Sequence, residues 1–190
     1  LWQYAAPKST PLQGTWSQCS VAPTASFDHA SVAILDSSNQ LVIYAMGGVG
    51  SNNQALDMSN LYRFTPDLSS VTCSGRWETL SLHGTSAPSP RRGHSIVSLS
   101  PTQILLYGGA SANGQRVDSD LWLLDLSAMS WSQLNPGDSH SPGARWGHTM
   151  VRVGSNVVVA FGYGSLDTSQ PAPSNVGVYD LQQLKWSDSY

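Results

Sequence analysis

The chain has 190 residues, a net charge of −3 and an isoelectric point of about 5.9, and only 11% of it is charged, well under the ~25% of an average soluble protein. There is no basic run, so the electrostatic footprint of a nucleic-acid binder is missing. No apolar run approaches the ~18 residues of a membrane span.

Leu1-Trp2-Gln3-Tyr4 and Gly14-Thr15-Trp16-Ser17 open the chain. They match the patterns of Leu121-Trp122-Leu123-Leu124 and Ser130-Trp131-Ser132 further on. Short runs rich in β-branched and aromatic residues follow, each bounded by Gly, Pro, Asn or Ser. Such runs predict strands, and their close spacing favours antiparallel meanders. The first set covers Ala30 to Leu35, Leu41 to Met46, Asn60 to Phe64 and Arg76 to Leu80. The second covers His94 to Leu99, Gln103 to Tyr107, Asp120 to Asp125 and Ser130 to Leu134. The third covers His148 to Val153, Asn156 to Phe161, Gly177 to Asp180 and Lys185 to Ser187. Turns such as Asp36-Ser37-Ser38-Asn39 join first to second strands as hairpins require. No segment has helical periodicity over a useful length.

The sets are copies of one another. The pair closing the second strand falls at Gly47-Gly48, Gly108-Gly109 and Gly162-Tyr163, in steps of 61 and 54 residues. A fourth-strand Trp falls at Trp16, Trp77, Trp131 and Trp186, in steps of 61, 54 and 55. A His opens the first strand at His29, His94 and His148, in steps of 65 and 54. Three independent markers thus share a period of roughly 50–60 residues, near the ~50 of a kelch blade. The longer first step reflects larger loops at Val49 to Ser59 and Pro66 to Gly75.

The chain resembles a kelch-repeat protein. The resemblance rests on Arg91-Arg92-Gly93-His94, Tyr107-Gly108-Gly109, Asp120-Leu121-Trp122 and Trp131, and on their counterparts in the other two sets. It implies an all-β, kelch-type β-propeller with about three and a half four-stranded blades. Residues 1–18 form a half blade, and 19–80, 81–134 and 135–190 form full ones. An open arc would leave an apolar end face larger than monomers tolerate, and terminal repeats need a cap or partner. The expectation is a segment of a larger six- or seven-bladed propeller, its missing strands supplied by another segment or chain.

Cys19 and Cys73 would lie on outer strands of neighbouring blades. A disulfide between them is geometrically conceivable, beside the alternative of two free thiols. A bridge would contribute on the order of 4 kcal/mol. With the scarcity of Lys and Glu it points to an extracellular or ectodomain setting, the alternative being cytoplasmic.

The repeated features have structural readings first. Gly47, Gly48, Gly108, Gly109 and Gly162 permit positive φ and close strand approach. Without a following Lys-Ser/Thr or a helix they make no phosphate cradle. Trp16, Trp77, Trp131 and Trp186 recur once per blade, as packing between blades requires. The three histidines would be spread around a ring, whereas zinc wants ligands about 2 Å from one centre, so no metal and no cofactor is expected. Neither the copper–radical ligand set of the related oxidases nor Gly-x-Ser-x-Gly can be assigned.

Arg91 and Arg145 precede innermost strands. In kelch propellers, similarly placed arginines line the central pocket and bind acidic peptides. By resemblance Arg91 and Arg145 are ligand candidates, with Arg92 and Trp146 beside them; Arg offers a planar fork for carboxylates. In the first set Ser26-Phe27 stands where Arg would be. The competing reading pairs each Arg with a nearby acid such as Asp28, Asp118, Asp120 or Asp138. The function expected is a non-enzymatic recognition module for a protein or peptide. The alternatives are a lectin-like module using Trp146 or Tyr163, or a fragment of a copper-oxidase-like propeller.

Overall fold

A computed structural model describes residues 2–5, 15–18, 20–69, 74–111, 113, 116–134, 140–165 and 175–187. Among these there is no helix. Strands β1 (Trp2–Ala5) and β2 (Thr15–Gln18) pair antiparallel as a two-stranded sheet. A short pairing of β3 (Ser26–Phe27) with β6 (Val49–Gly50), which the sequence pattern does not announce, stands at the edge of the next sheet.

Three four-stranded antiparallel meanders follow. Blade 1 comprises β4 (Ala30–Leu35), β5 (Leu41–Met46), β7 (Asn60–Asp67) and β8 (Ser74–Ser81). Blade 2 comprises β9 (Ser95–Ser100), β10 (Gln103–Ala110), β11 (Val117–Asp125) and β12 (Ser130–Leu134). Blade 3 comprises β13 (Thr149–Val153), β14 (Asn156–Ala160), β15 (Gly177–Asp180) and β16 (Lys185–Trp186). β4 contacts β9 and β9 contacts β13, so the first strand of each meander is the innermost. This is the arrangement of propeller blades.

Two apolar cores separate the blades. Val42, Tyr44 and Met46 of blade 1 meet Ile96, Ile104, Leu106, Trp122 and Trp131 of blade 2. Leu105, Tyr107 and Leu121, on the other face of blade 2, meet Val157, Val159, Tyr179 and Trp186 of blade 3. Successive residues of a strand point to opposite faces. A strand covered on both faces therefore reads as a continuous apolar run, and Ile104 to Tyr107 do so because each face has a core to enter.

The blades are also fastened by the recurrent indoles. Trp131 Nε1 donates to the Met58 carbonyl of blade 1 at 3.0 Å, and Trp77 Nε1 donates to the Ser20 carbonyl at 3.2 Å. Trp186 packs edge-on against Tyr107 and Tyr179. The side chain of Trp16 lies outside the described residues, as do Cys19 and Cys73.

Among the described residues, two faces have no blade packed against them. On blade 1, Ser31, Ile43, Ala45 and Tyr62, together with residues 22–26, line an open groove of about 410 Å³. On blade 3, Val151 and Val153 are exposed.

Candidate functional site

The turn entering each first strand is built the same way three times. Phe27, Arg92 and Trp146 each pair antiparallel with the residue that follows the glycine pair or its equivalent: Val49, Ala110 and Tyr163. Arg92 and Ala110 exchange two backbone hydrogen bonds of 2.9 Å, and Trp146 and Tyr163 exchange bonds of 3.0 and 2.9 Å. The next residue is left-handed in every blade, with φ of 55° at Asp28, 60° at Gly93 and 62° at Gly147. These three are linked blade to blade. Gly93 N donates to the Asp28 carbonyl at 2.8 Å, and Gly147 N donates to the Gly93 carbonyl at 2.7 Å. The result is a hydrogen-bonded arc along the inner ends of the blades.

Four side chains form a continuous strip on this arc. The Arg92 guanidinium lies 5.3 Å from the Trp146 ring centroid and 3.5 Å from an Asp28 carboxylate oxygen. Trp146 and Tyr163 lie 5.5 Å apart with a 35° tilt. Trp146 is held by donation from Nε1 to the Ser165 carbonyl at 2.8 Å. Beside the strip Phe27 is 50% and Phe161 78% exposed. Cation–π and aromatic contacts of this kind contribute roughly 0.5–1.5 kcal/mol each. They hold the strip in one conformation, which lowers the ordering cost of binding to it.

Of the four sequence-derived ligand candidates, Arg92 and Trp146 are on this strip, and Arg91 and Arg145 lie beneath it. Arg91 is 1% exposed. Its NH1 and NH2 donate to the two carboxylate oxygens of Asp120 at 2.6 and 2.8 Å, and NH1 also donates to the Gly108 carbonyl at 2.8 Å. Asp118 stands 3.6 Å away. The planar fork is thus engaged inside the blade, and pocket contact through Arg91 is corrected to an internal ion pair. Burial works to raise the Asp120 pKa, but hydrogen bonds and charge from Arg91, with Trp122 Nε1 donating at 2.6 Å, hold it below the ordinary carboxylate range.

Arg145 is fully buried. It donates to the carbonyls of Phe161 at 3.2 Å and Asn175 at 3.4 Å, to Asn175 Oδ1 at 3.0 Å, and to the Pro142 carbonyl. Its expected pocket role is corrected in the same way. Burial lowers its pKa, the nearby Tyr107 working weakly against that. Asn175 occupies the register position of Asp120, because Tyr179 faces Trp186 as Leu124 faces Trp131. One buried Arg therefore has a carboxylate partner, and its counterpart has an amide.

Of the three repeat histidines, His94 and His148 are interior and His29 is exposed. Neither ring nitrogen of His94 or His148 meets a partner at hydrogen-bonding geometry. Burial pushes the His94 imidazole down to about 3, helped by the Arg91, His148 and His29 charges, with the Met46 backbone opposing weakly. Burial and then Arg145 take His148 to about 4, the Arg145 and Tyr107 backbones opposing. Burial raises the Tyr107 hydroxyl to about 12 against Ser141, its hydrogen-bond partner, and the Arg145 charge; it donates to the Gly143 carbonyl at 2.9 Å. Among the described residues no three His, Cys, Asp or Glu side chains gather to hold a metal ion.

What sequence reasoning missed was the alternation within Arg91-Arg92. A signal was available: the Arg91 position recurs as Arg145 in the next blade, whereas the Arg92 position is Phe27 or Trp146 in the other blades, side chains that share no chemistry with it.

The KLHDC2/KLHL20/DRC7 Kelch-repeats domain matches residues 10–189. A "Kelch repeat-containing protein" of Arthroderma benhamiae is 32% identical over 94 residues, 48% of this chain and 14% of that protein. "Tip elongation aberrant protein 1" of Schizosaccharomyces pombe is 29% identical over 181 residues, 92% of this chain and 14% of that protein. "Host cell factor" of Drosophila melanogaster is 25% identical over 166 residues, 77% of this chain and 11% of that protein. The chain spans less than a fifth of the length of these relatives.

Proposed function

Because the chain belongs to the kelch-repeat family, we propose that it is a non-enzymatic recognition module that binds a protein or peptide at the Asp28–Arg92–Trp146–Tyr163 strip. The observation that carries this reading is the register. The same backbone position of each blade presents a different side chain, the exposed Phe27 or the half-buried Arg92 and Trp146, on a scaffold held by repeated hydrogen bonds. A rigid frame with variable tips is how loops on a fixed fold carry binding. Tryptophan and arginine are also the residue types enriched among interface hot spots. Arg92 supplies the charge, and a partner carboxylate would compete with Asp28 for it. The groups with strongly shifted ionisation, His94, His148 and Tyr107, sit in contacts between blades, which supports a structural role for them.

We further propose that the open faces of blades 1 and 3 are covered in the natural protein by additional strands of the same tandem, since the equivalent faces between blades 1, 2 and 3 are packed. The recognition reading is tested with peptides selected on this protein from a random displayed library. Trp146→Ala and Arg92→Ala should each weaken the selected peptides at least tenfold while leaving the circular dichroism spectrum unchanged. Peptides that bind both variants as well as the parent protein would refute the strip as the site.

A further inference from the structure

The two residues of each glycine pair answer to different neighbours. The second glycine is crowded by its own blade. A Cβ on Gly48 would lie 2.6 Å from the Phe27 carbonyl oxygen, one on Gly109 2.9 Å from His94 Cβ, and one on Gly162 2.7 Å from the Trp146 carbonyl oxygen. All three blades keep this glycine. The first glycine is crowded by the following blade. A Cβ on Gly47 would lie 2.5 Å from His94 Cε1 and 3.0 Å from the Arg91 carbonyl oxygen. One on Gly108 would lie 2.6 Å from the Arg145 carbonyl oxygen and 3.0 Å from His148 Cε1.

Blade 3 departs at that first position, and its pair is Phe161-Gly162, one residue earlier than the Gly162-Tyr163 expected from the sequence, because Trp146 pairs with Tyr163 as Arg92 pairs with Ala110. Phe161 replaces the glycine yet keeps its backbone, with φ of 64° against 62° at Gly47 and 63° at Gly108. A bulky residue there costs about 1–2 kcal/mol. Arg145 pins it by donating to its carbonyl, as Arg91 does to that of Gly108. Meanwhile the rest of the outer face keeps its apolar character. Val151, Val153 and Val158 stand where Val97, Leu99 and Leu105 of blade 2 pack against blade 3.

We propose that the outer face of blade 3 receives a further four-stranded blade in tandem, and that Phe161 selects against one seated on an Arg-x-Gly-His turn like those of blades 2 and 3. This rests on the tandem reading given above. The apolar strands ask for a sheet, because the two faces in the same register are each covered by one. The Cβ of Phe161 occupies the place where such a neighbour would set its turn carbonyl and its imidazole. The blade that fits approaches with a turn of another shape and leaves room for the phenyl ring at the inner end.

The test extends the chain after Tyr190 with a second copy of residues 81–134, which carries the native Arg-Arg-Gly-His turn. Three backgrounds are compared with their unextended forms: Phe161, Phe161→Gly and Phe161→Ala. Glycine accepts the observed φ, so the first variant keeps the fold, and the unextended controls remove the gain from relieved strain. The expected result is that the added blade protects the Val151 and Val158 amides from hydrogen exchange at least tenfold in the Phe161→Gly background only. Phe161→Ala, which retains the Cβ, should behave as the parent. Equal protection in all three backgrounds would overturn the selective role of Phe161. Protection in none would overturn the docking face, without touching the peptide-binding strip.

Discussion

His94 of blade 2 sits beneath Gly47 of blade 1, its Cε1 only 2.5 Å from the place a Cβ on that glycine would take. One repeat on, His148 stands beneath Gly108 in the same relation, at 3.0 Å. The two most regular markers of the sequence are thus the halves of one joint.

Gly47→Ala should damage that joint twice, by forcing the imidazole aside and by placing a side chain at φ of 62°. The expected loss is about 3 kcal/mol, read as a shift of the urea midpoint. Gly143→Ala is the control. Its φ is 83°, but nothing lies within 4 Å of the added methyl, so only the backbone term of about 1 kcal/mol remains.

The same burial makes the protein acid-labile. Above the ordinary histidine value of 6.5, folded and unfolded chains both hold His94 and His148 neutral. Below it the unfolded chain takes up protons that the folded one does not until about pH 4 for His148 and about pH 3 for His94. Stability is therefore complete above 6.5 and falls through that window, by up to ~1.4 kcal/mol per pH unit for each histidine. Urea unfolding at about pH 7.5 and about pH 5 reads this directly. His94→Gln should flatten the dependence, and an unchanged slope would contradict the account.

Arg91→Ala should cost about 3–5 kcal/mol, because it leaves the Asp120 carboxylate largely buried without its cation. Arg92→Ala, one residue along, removes a partly exposed pair with Asp28 and a stack on Trp146, and should cost about 1 kcal/mol or less. Thermal unfolding of the two variants side by side is the measurement. Equal losses would mean that the two neighbouring side chains do not divide as described.

Asn175→Asp should stabilise the protein. It gives Arg145 the carboxylate that Arg91 already has in Asp120, and hydrogen bonds to a charged group contribute roughly 1.5–3 kcal/mol. A rise in the unfolding midpoint that disappears in Arg145→Met would confirm the pairing.

The architecture was legible because its determinants are periodic. Glycine, tryptophan and histidine each return once per blade, and the strand runs between them need no tertiary knowledge to find. The predicted strands fall within a few residues of the observed ones, with β7, β8, β10 and β11 running longer because their loops continue the ladder. The β3–β6 pairing was not legible, since two-residue strands carry no pattern. The functional surface was legible only in part. Arg91 and Arg92 are chemically identical and adjacent, and which one turns inward depends on a carboxylate supplied 29 residues later by Asp120.

Among the described residues, blade 2 has a sheet against each of its faces, while blades 1 and 3 have one each. Loosening of this segment should therefore start at its two flanks and travel inward, leaving the hairpin of β9 and β10 until last. Pulled from its ends, such a molecule would give way in steps, with the middle spoke as the final barrier.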